Sequence, residues 1–184
     1  MSARQNSTLE AMIADIERAS LAVGEPEFVT RQVREALTPW LTRGLPESLI
    51  GSAESCYARH MIHGDPQERF SIVSIVLMPG QSTPIHDHNT WGVIGVVCGR
   101  EREVRYRRSE TDELVELETR FNLPGDTAVV IPPRDVHRIE GACPEGRATV
   151  SIHVYGGNVD RVTRAIFEKD GLKYVKPCVT TRPS

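Results

Sequence analysis

The sequence predicts a mainly β protein, a barrel or two-sheet sandwich preceded by two or three α-helices. Three observations carry this. Short β-rich runs recur at 55–62, 70–78, 91–97, 101–108, 113–121, 127–131 and 148–155, with another candidate at 172–176. Glycine and proline fall between them, and many short strands with regular turns mark a sandwich or barrel. The first fifty residues show instead the 3.6-residue apolar period of helices. Finally, 184 residues with no long linker, biased tract or internal repeat make one domain the default. In that domain 1–52 is a helical part packed on a barrel of 53–184.

In order, Ser7 or Thr8 is expected to cap a helix whose apolar positions are Leu9, Met12, Ile13, Ile16 and Ala19. A second helix opens at Pro26, a good first-turn residue, and carries Phe28, Val29, Val33 and Leu37. It should stop near Thr38, because Pro39 lacks a backbone donor and restrains its predecessor. Pro46 is placed at the start of a short third turn.

Composition narrows the function. With 22 basic against 25 acidic side chains the net charge is -3, which argues against a protein built to grip nucleic acid or an anionic membrane. No apolar run approaches the roughly 20 residues of a membrane helix. Met1 to Glu10 lacks the basic-then-apolar order of a secretion signal. Cys56, Cys98, Cys143 and Cys178 are scattered and form no CxxC pair, so they read as reduced thiols of a cytoplasmic protein. Oligomeric state is left open.

The six histidines are the most informative residues. His86 and His88, in Pro84-Ile85-His86-Asp87-His88, are spaced so that an extended segment turns both rings to one side and Asp87 to the other. A third ligand is available in His137, on a strand following the stiff Pro132-Pro133 turn. Two histidines from one segment and one from another cover one face of a metal and leave the opposite face open, as in facial non-haem Fe(II) sites. No carboxylate stands at a fitting place, and three neutral imidazoles leave the full metal charge to attract an anionic ligand such as a thiolate.

The surrounding spacing resembles the cupins. Gly80, five residues, His86-x-His88, three residues, Gly92, six residues, Gly99 is similar to the first cupin motif, and Gly125, six residues, Pro132-x-Arg134-x-x-His137 to the second. Gly92 stands where many cupins place a glutamate ligand, which agrees with a three-histidine site. The resemblance implies a cupin-type, jelly-roll-like β-barrel.

A late segment, Val150-Ser151-Ile152-His153-Val154-Tyr155, alternates strictly. Its aliphatic side suits packing under the N-terminal helices. Its polar side, Ser151, His153 and Tyr155, is either a relay inside the barrel or simply a solvated face. Tyr57 and Arg59 share another strand face; a buried Arg59 would need an anion such as a substrate carboxylate, and an edge-strand Arg59 would sit in water.

Together, Tyr57-Ala58-Arg59, His86-Asp87-His88, His137-Arg138-Ile139-Glu140 and Ser151 through Tyr155 resemble the cysteine dioxygenase family, iron-dependent cupins that oxidise small thiols. The resemblance implies Fe(II) on His86, His88 and His137, a relay of Ser151, His153 and Tyr155, and a substrate carboxylate gripped by Arg59. Its partners are a small thiol and O2, and its product a sulfinic acid. Animal members crosslink a cysteine to the tyrosine; Gly92 at the matching position implies no crosslink here. Arg59 points to L-cysteine as the substrate. The segment around Trp91 and the downstream Arg164 look more like the 3-mercaptopropionate branch. Arg164 is either a second anion contact or an exposed arginine, and two arginines at one site would permit a dicarboxylate such as mercaptosuccinate. Rival readings are another metal-dependent cupin enzyme and a non-enzymatic module that binds a small acid.

Overall fold

The computed structural model describes residues 3–43, 57–111, 113–144, 146–168 and 171–175. Two helices come first, α1 (Ala3–Ser20) and α2 (Pro26–Leu41). Eleven strands follow among the described residues: β1 (Ala58–Gly64), β2 (Phe70–Leu77), β3 (Ile85–His86), β4 (Gly92–Cys98), β5 (Glu101–Arg108), β6 (Leu114–Asn122), β7 (Thr127–Val130), β8 (His137–Gly141), β9 (Thr149–Gly156), β10 (Arg164–Glu168) and β11 (Gly171–Val175). None of the described helices is long and apolar enough to cross a membrane.

The strands form two antiparallel sheets, ordered β1-β2-β9-β4-β7 and β11-β10-β3-β8-β5-β6. Within them, β2-β9-β4-β7 faces β3-β8-β5-β6, so that all neighbours in these two rows except β5 and β6 are non-consecutive in sequence. That interleaving is the double Greek key of a jelly roll, the cupin-type architecture. It brings the segments around residues 59, 86, 137 and 153 to one interior.

The alternation of β9 sorts its two faces as the sequence requires. Ile152 and Val154 join Phe70, Ile72 and Val93 beneath Met12 and Ile16 of α1 and Val29, Val33, Leu37, Trp40 and Leu41 of α2. Each such side chain, once buried, is worth about 1.5–3 kcal/mol, so the helices cover the outer face of the first sheet. Tyr155 turns the other way, into an interior cluster with Val73, Ile75, Leu77, Ile139 and Val159, against which Tyr57 packs.

The helix boundaries differ from the sequence expectation. The first helix begins at Ala3, so Ser7 and Thr8 lie inside it rather than capping it. The second continues through Pro39 to Leu41 instead of stopping near Thr38. Tertiary packing outweighs the proline: Trp40 and Leu41 are buried, Trp40 Nε1 donates to Asp15 at 3.2 Å, and the Thr38 hydroxyl donates to the Arg34 carbonyl at 2.7 Å. Gly95 on β4 lets Leu41 approach, since a Cβ there would meet Leu41 at 2.7 Å. The short β3 and β8 are the strands expected to carry His86 and His137, while β10 was not among the expected strand runs. The turn expected at Pro46, with Cys56 and Cys178, lies outside the described residues; Cys98 and Cys143 are free thiols.

Candidate metal centre

The three histidines meet where β3 pairs with β8. His86 is directly opposite His137 in the register, and His88 follows just beyond the end of β3. Ring centroids are separated by 4.8 Å for His86–His88, 5.0 Å for His86–His137 and 4.8 Å for His88–His137. All three rings are buried, and their candidate ligand atoms lie within 4.8 Å of one another.

Strand alternation alone does not aim His88, which has left the strand. Asp135 does so: its carboxylate accepts the backbone N–H of His88 at 2.8 Å and of Asn89 at 3.2 Å. Asp87 faces away from the rings, as its position requires. Its carboxylate accepts the Ala165 N–H at 2.7 Å and so ties β10 beside β3.

The tautomers follow from the partners. Nδ1 of His86 donates to the Pro84 carbonyl at 2.9 Å, and Nδ1 of His88 to the Asp135 carbonyl at 3.2 Å. Nδ1 of His137 donates to the Glu103 carboxylate at 2.9 Å. Acceptors of this kind fix the proton on Nδ1 and leave the Nε2 lone pair for a cation. Nε2 of His88 and of His137 are buried without any hydrogen-bond partner, a costly state that a metal ion would relieve. Burial, and then the neighbouring imidazoles, holds His86 and His88 well below the usual histidine pKa, so both are neutral. These three residues can hold a metal ion, and neutral imidazoles suit iron as well as zinc, copper or nickel.

Glu103, which the sequence reading missed, anchors His137. It is fully buried, receives Arg105 Nε at 3.1 Å and Arg120 Nε at 2.7 Å, and is held below the ordinary carboxylate range by His137 and both arginines, against its burial. Its signal lay in the alternation of 101–105, which turns Glu101 and Glu103 to one side of a strand. Asp135, two residues before His137, gave no comparable signal.

Opposite the histidines, β9 carries the polar stripe inside the barrel, and not on a solvated face. Ser151 Oγ and His153 Nε2 are 2.9 Å apart, and His153 Nδ1 and the Tyr155 hydroxyl 2.8 Å. Burial pushes His153 down to about 3 and raises Tyr155. The Tyr155 ring stacks on His88, with centroids 5.2 Å apart. Gly92 makes room for it: a Cβ there would meet the Tyr155 ring at 2.9 Å. Glu101, buried at the far end of this row, accepts Asn122 Nδ2 at 3.1 Å.

No protein-family model matches the chain. The chain is similar to several solved structures. One is a conserved double-stranded β-helix protein from Klebsiella pneumoniae subsp. pneumoniae, 17% identical over 69% of this chain and 93% of its own, with a TM-score of 0.49. Another is the Schizosaccharomyces pombe Cnp3 cupin domain, 8% identical over 63% of this chain and 70% of its own, at 0.47. A third is oxalate oxidase in complex with the substrate analogue glycolate, 17% identical over 58% of this chain, at 0.45. The match spans 53% of that oxidase, about half its length.

The two arginines lie near the relay, in different states. Arg59 is buried, and its Nη2 donates to the Asp160 carboxylate at 2.7 Å. Tyr57 is half-buried beside Arg59 and Tyr155. Arg164 places its guanidinium over the Tyr155 ring, 5.2 Å from the centroid. Its Nε and Nη2 are buried and have no hydrogen-bond partner. The reading of Arg164 as a solvent-exposed residue is therefore set aside: pairing of β10 with β3 swings it over the site.

Proposed function

We propose that the protein is an Fe(II)-dependent thiol dioxygenase that converts a small thiol-carboxylate and O2 to the corresponding sulfinic acid. The balance is R–SH + O2 → R–SO2H; both oxygen atoms go to sulfur, sulfur supplies the electrons that O2 takes up, and no other reductant is needed. The single observation that carries the reading is the stacking of Tyr155, the end of a buried Ser151–His153–Tyr155 row, on the ligand His88. That contact sets a proton-handling hydroxyl beside an imidazole cation site, which a purely structural metal would not require.

His86, His88 and His137 would hold the iron, which supplies neighbouring positions for sulfur and O2. The protein's own groups supply the rest. Burial excludes water from the three rings and the relay. The neutral His153 holds the Tyr155 hydroxyl at 2.8 Å, which fixes where that oxygen sits and gives its proton a partner to exchange with. Arg164 offers two uncommitted donor nitrogens, Nε and Nη2, to a carboxylate, a charge-assisted pairing worth about 1.5–3 kcal/mol per hydrogen bond.

L-cysteine and 3-mercaptopropionate are the substrates in question. The argument for cysteine rested on Arg59 as the carboxylate anchor. The Arg59–Asp160 ion pair weakens it, and the unpartnered Arg164 favours 3-mercaptopropionate as a second reading. Oxygen uptake by iron-loaded protein, run side by side with both thiols, mercaptosuccinate and cysteamine, tests this. Uptake matched by sulfinate is expected with at least one thiol-carboxylate and little with cysteamine, which lacks the carboxylate. Absence of thiol-dependent uptake with all four would sink the reading and leave the two rivals, another metal-dependent cupin enzyme and a small-acid-binding module.

A further inference from the structure

Arg59 and Arg164 share one interior. Both act on the Tyr155 hydroxyl, each favouring its ionised form, and Arg164 also lowers the pKa of Arg59. Their partners differ. The Arg59 side chain is 8% exposed and bonded to Asp160, whose own side chain is 38% exposed. The buried Nε and Nη2 of Arg164 have no hydrogen-bond partner. The charges of Arg59, Asp160 and Arg164 leave a single net positive charge, which one carboxylate balances.

Asp160 is seated by its surroundings. Its neighbour Val159 is fully buried and donates its N–H to Ser71 Oγ at 3.2 Å. The backbone N–H of Asp160 donates to Asn158 Oδ1 at 3.0 Å. Arg161 pairs with Glu68 at 2.6 Å. The turn is pinned on both sides of Asp160, which keeps its carboxylate at Arg59.

Resting on the thiol dioxygenase reading, we propose that Asp160 determines substrate charge: by occupying Arg59 it leaves Arg164 to take the substrate carboxylate, so the pocket admits a thiol monocarboxylate and turns away a thiol dicarboxylate. A second carboxylate would meet an arginine already paired, and Asp160 itself as a like charge. Discrimination is therefore built by a residue that touches no substrate atom. Asp160 acts through Arg59.

The test reads binding, not turnover. Zinc-loaded protein under nitrogen is titrated calorimetrically with 3-mercaptopropionate and with mercaptosuccinate. Wild type is expected to bind the monocarboxylate at least about tenfold more tightly, the order of one charge-assisted hydrogen bond. Asp160→Asn should move the Kd ratio toward mercaptosuccinate by at least about tenfold. The double variant Asp160→Asn/Arg59→Gln removes both charges and should return the ratio to within about threefold of wild type. An unchanged ratio in Asp160→Asn, or tighter dicarboxylate binding by wild type, overturns the proposal. If unpaired Arg59 prevents Asp160→Asn from folding, the double variant carries the test: loss of monocarboxylate affinity by about tenfold would make Arg59 the anchor and overturn it. A failed dioxygenase reading would appear separately, as missing oxygen uptake with these binding ratios intact.

Discussion

The wall of the barrel built from β3 and β8 and the wall built from β9 both present buried histidines, yet the two use them differently. On the first wall each Nδ1–H is spent on a group that can only accept: the carbonyls of Pro84 and Asp135, and the Glu103 carboxylate. The proton has one place to be, and the Nε2 lone pairs point permanently inward. On the second wall His153 stands between two hydroxyls, Ser151 and Tyr155, each able to donate or accept. Its one proton can sit on either nitrogen, and the row can reverse its direction. Fixed polarity suits a ligand set, and reversible polarity suits proton handling. The partner, more than the residue type, decides which a histidine does.

The largest effect expected from breaking this contrast is on the first wall. His137→Ala removes one of three ligands and leaves Glu103 buried without its imidazole partner. Iron content after dialysis should fall to background, with affinity lost by well over the 10–100-fold typical of changes outside the ligand set. Metal analysis beside a circular dichroism spectrum separates this from unfolding. On the second wall the expectation is different. Tyr155→Phe keeps the ring against His88 and loses only the hydroxyl, so iron content should hold while kcat falls by about 10²-fold, the low end for a positioned proton donor, with KM little changed. Equal loss of iron in both variants would erase the distinction between the walls.

The sequence carried these features unequally. A barrel or sandwich was readable because its signal is local, short runs punctuated by glycine and proline; the jelly-roll form came only from the resemblance of the glycine and histidine spacing to the cupin motifs. The alternation of β9 correctly separated Ile152 and Val154 from His153 and Tyr155, since period two needs no knowledge of neighbours. The carboxylates that finish the site were not readable. Glu103 serves His137 across a sheet, Asp135 serves His88 from a loop, and Asp160 serves Arg59 from a turn 101 residues away. Such pairings exist only once topology has brought the segments together. Arg164 shows the same limit: nothing in its local sequence reveals that Asp87 ties the next residue to β3 and hangs the guanidinium over Tyr155. Pro39 was misjudged because a local rule lost to the burial of Trp40 and Leu41.

The smallest expected effect concerns Glu101, at the closed end of the second wall. Burial, the largest influence on it, raises its pKa above the ordinary 4.5; Asn122 and Ser151 oppose this by favouring the charged form. The sign follows from proton counting. Between the ordinary and the raised value the folded protein keeps a proton that the unfolded chain has released, so stability falls as pH rises through that window, at most about 1.4 kcal/mol per pH unit, and is level above it. Glu101→Gln keeps an acceptor for Asn122 and removes the titration. The difference in Tm, variant minus wild type, should therefore grow more positive as pH climbs from about 4 toward neutrality, by about 2–4 °C per kcal/mol for a chain of this size. Groups remote from Glu101 titrate alike in the two proteins, so this difference reports Glu101 together with the neighbours it is coupled to, Glu103 first among them. A flat difference across that range would mean that Glu101 ionises normally within the fold.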